Sequence, residues 1–123
     1  MPSHVAVWID HKEARVFHIH PDRVTEATVE APEPAHRKHS ESHKVTPEDA
    51  RRFFGKVAQS LEGVDEILVV GPSTAKLEFI RYLRQHHDAL EPKVIGIETV
   101  DHPTDGQLVA YAMKYFKRAD RMR

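Results

Sequence analysis

The chain has 123 residues, 40% of them hydrophobic and 30% charged, which suits a single core and one domain over residues 1–123. Its formal net charge is −1, so attraction to a polyanion has to come from local clusters of Lys and Arg, with ten histidines adding positive charge only below neutral pH. The absence of cysteine excludes disulfides, iron–sulfur clusters, thiolate zinc sites and cysteine nucleophiles.

At the start, "MPSHVAVWID" does not join a basic segment to a long apolar run, so it does not read as a secretory signal. No stretch approaches the roughly 20 apolar residues of a membrane span, and a cytoplasmic, membrane-free protein is expected. Residues 5–10 ("VAVWID") and 13–19 ("EARVFHI") are rich in β-branched and aromatic residues and are joined by a short polar link, the pattern of a hairpin. Residues 23–31 alternate at Thr25, Ala27 and Val29 and add a third antiparallel strand. Hydrophobic periodicity then stops, and Pro32 and Pro34 argue against regular structure over a flexible loop at 32–45.

The first helix opens with Thr46 as N-cap, Pro47 at the first helical position and Asp49 in a variant capping box. Ala50, Phe53, Phe54, Val57, Ala58 and Leu61 then form one apolar face, with Gly63 expected as the C′ residue. "EILVVG" (residues 66–71) is a continuous apolar run, as in a strand covered on both faces. A helix over about 75–87 follows, presenting Leu77, Ile80 and Leu83 with Phe79 and Tyr82 at its flanks. Residues 93–100 form the last strand, and Thr104 with Gln107 caps a final helix carrying Leu108, Val109, Ala112, Met113 and Phe116. The order β-β-β-α-β-α-β-α predicts an α/β, ribonuclease H-like fold whose mixed five-stranded sheet runs 3-2-1-4-5.

Residues 34–44, "PAHRKHSESHK", carry the densest polar chemistry. His36, His39 and His43 are a conceivable imidazole set for zinc, nickel or copper, but Arg37, Lys38 and Lys44 would crowd a cation and Glu41 is the one local carboxylate. The same composition suits a solvated loop, or a phosphate-contacting cluster extended by Arg51 and Arg52. A second anion site is offered by the strand-to-helix turn at Gly71, Ser73, Thr74 and Lys76, although it lacks P-loop spacing and also reads as an ordinary capped turn.

Enzymatic readings have less to stand on. Asp10 ends the first strand, where ribonuclease H-like nucleases place an aspartate, and Glu98, Asp101 and Asp105 lie at or beyond the last strand. The fourth strand ends in Val70-Gly71-Pro72 without a carboxylate. Ser40, Ser42, Ser60 and Ser73 sit in no nucleophile-elbow motif, and Trp8 and Phe17 read as core or sheet residues rather than a base-stacking platform. No cofactor is implied, no metal ligand set is assigned, and no catalytic residue is named.

"EILVVGPSTAKLEFIRYL" and "KVIGIETVDHPTDGQLVAYAMKYF" resemble a family of small bacterial proteins related to the middle domain of archaeal and eukaryotic class I peptide-chain release factors. The most specific matches are residues 69–76 and 98–108, and the resemblance implies the same ribonuclease H-like fold. In release factors, the loop before the first long helix carries the Gly-Gly-Gln that assists peptidyl-tRNA hydrolysis. Here that loop holds neither glycine nor glutamine, so the release chemistry does not carry over. The resemblance instead implies a basic arm, with His36, Arg37, Lys38, His39, His43 and Lys44 contacting phosphates of ribosomal RNA or tRNA. Exposed strand edges leave a homodimer as a further expected partner mode.

Overall fold

β1 (His4–Ile9), β2 (Glu13–Ile19) and β3 (Val24–Glu30) form an antiparallel meander in the computed structural model, which describes residues 3–32 and 46–122. The β1–β2 link is closed by Asp10, whose Oδ1 accepts the N–H groups of Lys12 at 2.8 Å and Glu13 at 2.9 Å. A short carboxylate mimics a backbone turn in this way. Then come α1 (Pro47–Gln59), β4 (Glu66–Gly71), α2 (Ala75–His86), a 3-10 turn (Glu91–Lys93), β5 (Val94–Thr99) and α3 (Asp105–Arg121).

The five strands lie in the order β3-β2-β1-β4-β5, with β4 parallel to both β1 and β5, which is the ribonuclease H-like arrangement expected from the element order. Successive residues of a strand face opposite sides of the sheet, so β1 and β4 feed two cores at once. Val5, Val7, Ile9, Ile67 and Val69 pack under α1 and α2 against Phe53, Phe54, Val57, Phe79 and Leu83. Ala6, Trp8, Leu68 and Val70, with Phe17 of β2, pack under α3 against Leu108, Ala112 and Phe116. Burial on both faces is why residues 67–71, after Glu66, read as an unbroken apolar run.

Both capping boxes form. Thr46 Oγ1 accepts the Asp49 N–H at 3.0 Å and Asp49 Oδ2 accepts the Thr46 N–H at 3.4 Å, while Thr104 and Gln107 make the corresponding pair at 3.1 and 3.0 Å. The helix faces differ from expectation in two places: Leu77 is 51% exposed and Met113 is 45% exposed. The buried stripe of α2 runs through Ala75, Lys76, Phe79, Ile80 and Leu83, and Leu77, two residues from both Ala75 and Phe79, falls on the far side of the helix. Phe79 therefore sits at the centre of that stripe rather than at its flank. Gly63 is not the C′ residue of α1, which already ends at Ser60; it takes φ +79° in the turn beyond, the left-handed conformation glycine favours.

Ser3 is tied down beside β4. Asp65 Oδ2 accepts the Ser3 N–H at 2.8 Å and the Ser3 hydroxyl at 3.2 Å, and the Glu66 N–H donates to the Ser3 carbonyl at 3.0 Å. The backbone bond and then the hydroxyl bond hold the Asp65 carboxyl below its ordinary range. A depressed carboxyl favours the folded state above the unfolded-state pKa, and that contribution is lost as pH falls through the folded value. The Tm gap between wild type and Asp65→Asn is therefore expected near neutral pH and should close in acid below about pH 4. A gap independent of pH would contradict it.

Candidate functional site

The parallel strands β1, β4 and β5 end along one edge of the sheet, the edge at which open α/β sheets most often bind ligands. The strand ends approach each other closely: a Cβ on Gly71 would lie 2.2 Å from the Ile9 carbonyl oxygen, and the Val100 N–H donates to the Gly71 carbonyl at 3.1 Å. The loops that leave this edge thus start from a fixed frame.

Gly71, Ser73, Thr74 and Lys76 are gathered in the β4–α2 turn, and much of its polar capacity is used internally. Ser73, rather than the N-cap residue Thr74, offers its hydroxyl to the Ala75 N–H at 3.3 Å. Lys76 is only 7% exposed, and its ammonium donates to the Ser73 carbonyl at 2.7 Å. In the first turn of α2, Glu78 Oε2 accepts the Thr74 hydroxyl at 3.1 Å and lies 3.2 Å from His11 Nε2. A carboxylate there already complements the positive end of the helix dipole.

On the α3 side, the indole N–H of Trp8 donates to the Asp101 carbonyl at 2.8 Å and the Arg15 guanidinium lies 4.4 Å from the Trp8 ring centroid. Arg15 also reaches Asp105 Oδ1 at 2.6 Å, and desolvation, followed by the bond that the protonated form donates to the Asp105 carboxylate, pushes the nearby Glu26 carboxyl up. Trp8 and Phe17 are both buried, so neither offers a face for base stacking.

Asp10, Glu98 and Asp101 are dispersed. Asp10 is engaged in the hairpin and lies 3.9 Å from His102 Nε2, while the exposed Asp101 carboxylate is 2.9 Å from His102 Nδ1. Glu98 instead hydrogen-bonds Tyr115 of α3, whose hydroxyl is pushed up by burial and then by that carboxylate. A two-metal nuclease needs its carboxylates to converge on a cation pair, and among the described residues these three form no such group. Metal-ligand spacing occurs at the other end of the sheet, in His4, Glu66 and Asp120. Sequence reasoning passed over that trio because the parallel register of β1 and β4, not a local motif, puts His4 beside Glu66.

His36, Arg37, Lys38, His39, His43 and Lys44 lie outside the described residues. The residues flanking their segment are described. The Ala31 N–H donates to the Lys12 carbonyl at 2.8 Å in the β1–β2 link, and Thr46 caps α1. Ala31 and Thr46 line one cleft of about 480 Å³ with His11, Pro47, Phe54 and Glu78. The described residues on either side of that segment, Ala31 and Thr46, therefore lie beside the carboxyl ends of β1 and β4.

No protein-family model and no curated protein matches this sequence. Solved structures do match. Pelota of Archaeoglobus fulgidus superposes with a TM-score of 0.66 at 20% identity, over 92% of this chain and 31% of that one. Pelota of Thermoplasma acidophilum gives 0.59 at 25% identity over 85% and 30%, and the archaeal translation termination factor aRF1 gives 0.59 at 16% over 86% and 32%. The chain spans about a third of the length of these proteins. In its mixed 3-2-1-4-5 sheet and three helices, it is similar in fold to a portion of Pelota and of aRF1.

Proposed function

We propose that this chain is a single, non-catalytic domain of the small bacterial release-factor-related family that works in translation in the cytoplasm. It contacts ribosomal RNA or tRNA phosphates through His36, Arg37, Lys38, His39, His43 and Lys44. The supporting observation is positional: Ala31 and Thr46, the described residues that flank the Lys-, Arg- and His-rich stretch of sequence, lie at the carboxyl edge of a sheet whose fold recurs in a translation termination factor. Another structure of that fold, yeast Dom34, is described as a translation termination-like factor involved in RNA quality control pathways, with a TM-score of 0.57 at 12% identity. Charge-assisted bonds from arginine and lysine suit phosphate oxygens and need no base recognition. With no glycine or glutamine in the segment, contact rather than peptidyl-tRNA hydrolysis is assigned to it. A phosphate at Gly71, Ser73, Thr74 and Lys76 would have to compete with the internal bonds of that turn, so the turn's part is to hold the frame.

Co-sedimentation with ribosomes tests this. Wild-type protein is expected in the ribosome pellet at low salt, and the combined variant Arg37→Ala, Lys38→Ala, Lys44→Ala is expected to remain largely in the supernatant. Equal pelleting of the two proteins, or no pelleting of either, would contradict it. An interaction protein that pairs through the edge strands β3 or β5 would instead show a dimer by light scattering and retain no RNA.

A further inference from the structure

At the opposite end of the sheet, three potential metal ligands from three different elements meet. His4 opens β1, Glu66 opens β4 and is its register partner, and Asp120 lies in the last turn of α3. The packing that brings them together is part of the core: the His4 ring lies 4.4 Å from the ring of Phe116, which is one helical turn before Asp120. We propose that His4, Glu66 and Asp120 bind one divalent transition-metal ion of the zinc class.

The spacing is that of ligands around one ion. His4 Nε2 is 3.1 Å from Glu66 Oε1 and 4.0 Å from Asp120 Oδ2, and one ligand atom from each residue lies within 4.8 Å of the others. Zinc bonds of about 2.0–2.2 Å in a tetrahedron put neighbouring ligands roughly 3.4 Å apart, between the two separations found here. His4 Nε2 is enclosed and makes no hydrogen bond among the described residues despite its closeness to Oε1. A ring nitrogen and a carboxylate that share a hydrogen bond point at each other, whereas two ligands of one cation both point at a third position.

The donor set also selects the ion. Imidazole with carboxylates suits zinc-class ions, while magnesium and calcium prefer oxygen-only shells. Two carboxylates and a neutral imidazole carry charge −2, which a divalent cation cancels. Glu66 is 6% exposed and the Asp120 side chain 48%, so the site is walled on the sheet side and open on the helix side, leaving a fourth position for water. Bound metal would clamp the last turn of α3 to the amino ends of β1 and β4.

The test is calorimetric titration of Zn²⁺ into the full chain carrying His36→Ala, His39→Ala and His43→Ala, which removes competing imidazoles. One ion per chain and a rise of a few degrees in Tm are expected, with binding lost on adding His4→Ala. Since His4 also packs on Phe116, Asp120→Asn is the deciding variant. It should keep the far-UV circular dichroism of the parent and weaken Zn²⁺ binding by about tenfold or more. Absence of one-to-one binding in the parent, or binding unchanged by Asp120→Asn, would overturn the site.

Discussion

Trp8→Ala is expected to cost about 3–5 kcal/mol, a large part of the stability of a domain this size. Trp8 is fully buried in the middle of the sheet, packed in the same core as Phe17, Leu68, Val70 and Leu108. Its truncation would leave a cavity that strands fixed on both sides cannot close. The loss extends to the carboxyl edge, because the indole N–H holds the Asp101 carbonyl at 2.8 Å and the ring lies under Arg15, which reaches Asp105 at the start of α3. Trp8→Phe keeps most of the apolar contact and removes the hydrogen bond, so a smaller cost of about 1–2 kcal/mol is expected. Trp8 is the only tryptophan, so unfolding in urea has to be followed by circular dichroism rather than by indole fluorescence. Trp8→Ala within 1 kcal/mol of wild type, on the order of an exposed substitution, would show that the α3 core is not packed as described.

Gly71→Ala is expected to cost about 2–3 kcal/mol. The new Cβ would stand 2.2 Å from the Ile9 carbonyl oxygen, and relief requires β1 and β4 to separate at their carboxyl ends. The entropic benefit of replacing glycine, about 0.4–1 kcal/mol, is too small to offset this. Gly106→Ala is the natural control: nothing lies within 4 Å of its Cβ position, and alanine favours the helix it enters, so a neutral or stabilising result is expected. Urea midpoints for the two variants settle the comparison, and equal effects would contradict the close strand approach.

Local signals in the chain translated directly into structure. Thr46 with Asp49 and Thr104 with Gln107 form their capping boxes because each motif needs only residues three apart. The apolar run at residues 67–71 marked the doubly covered strand. What the sequence concealed depends on contacts between distant elements. Lys76 looked like a free cation for an anion site, yet it is buried and donates to the Ser73 carbonyl. Leu77 and Met113 looked like core residues by type, yet the sheet takes only one stripe from each helix. Asp10, Glu98 and Asp101 looked compatible with a carboxylate set, but the hairpin, α3 and His102 engage them separately. His4 beside Glu66 was invisible because strand register carries no mark in either residue's neighbourhood. The segment with the most suggestive composition, residues 34–44, lies outside the described residues, so its chemistry still rests on composition and on where its flanks are anchored.

The salt dependence of tRNA binding tests the phosphate-contacting arm most directly. Each phosphate contact adds about 0.7–0.9 to the slope of log affinity against log salt. Wild-type protein should bind at low salt and weaken steeply as salt rises, and removing Arg37, Lys38 and Lys44 together should lower both the affinity and that slope, the slope by about 2. If the triple variant binds with the wild-type affinity and slope, or if neither protein binds at low salt, the 36–44 segment is not an RNA-contacting arm.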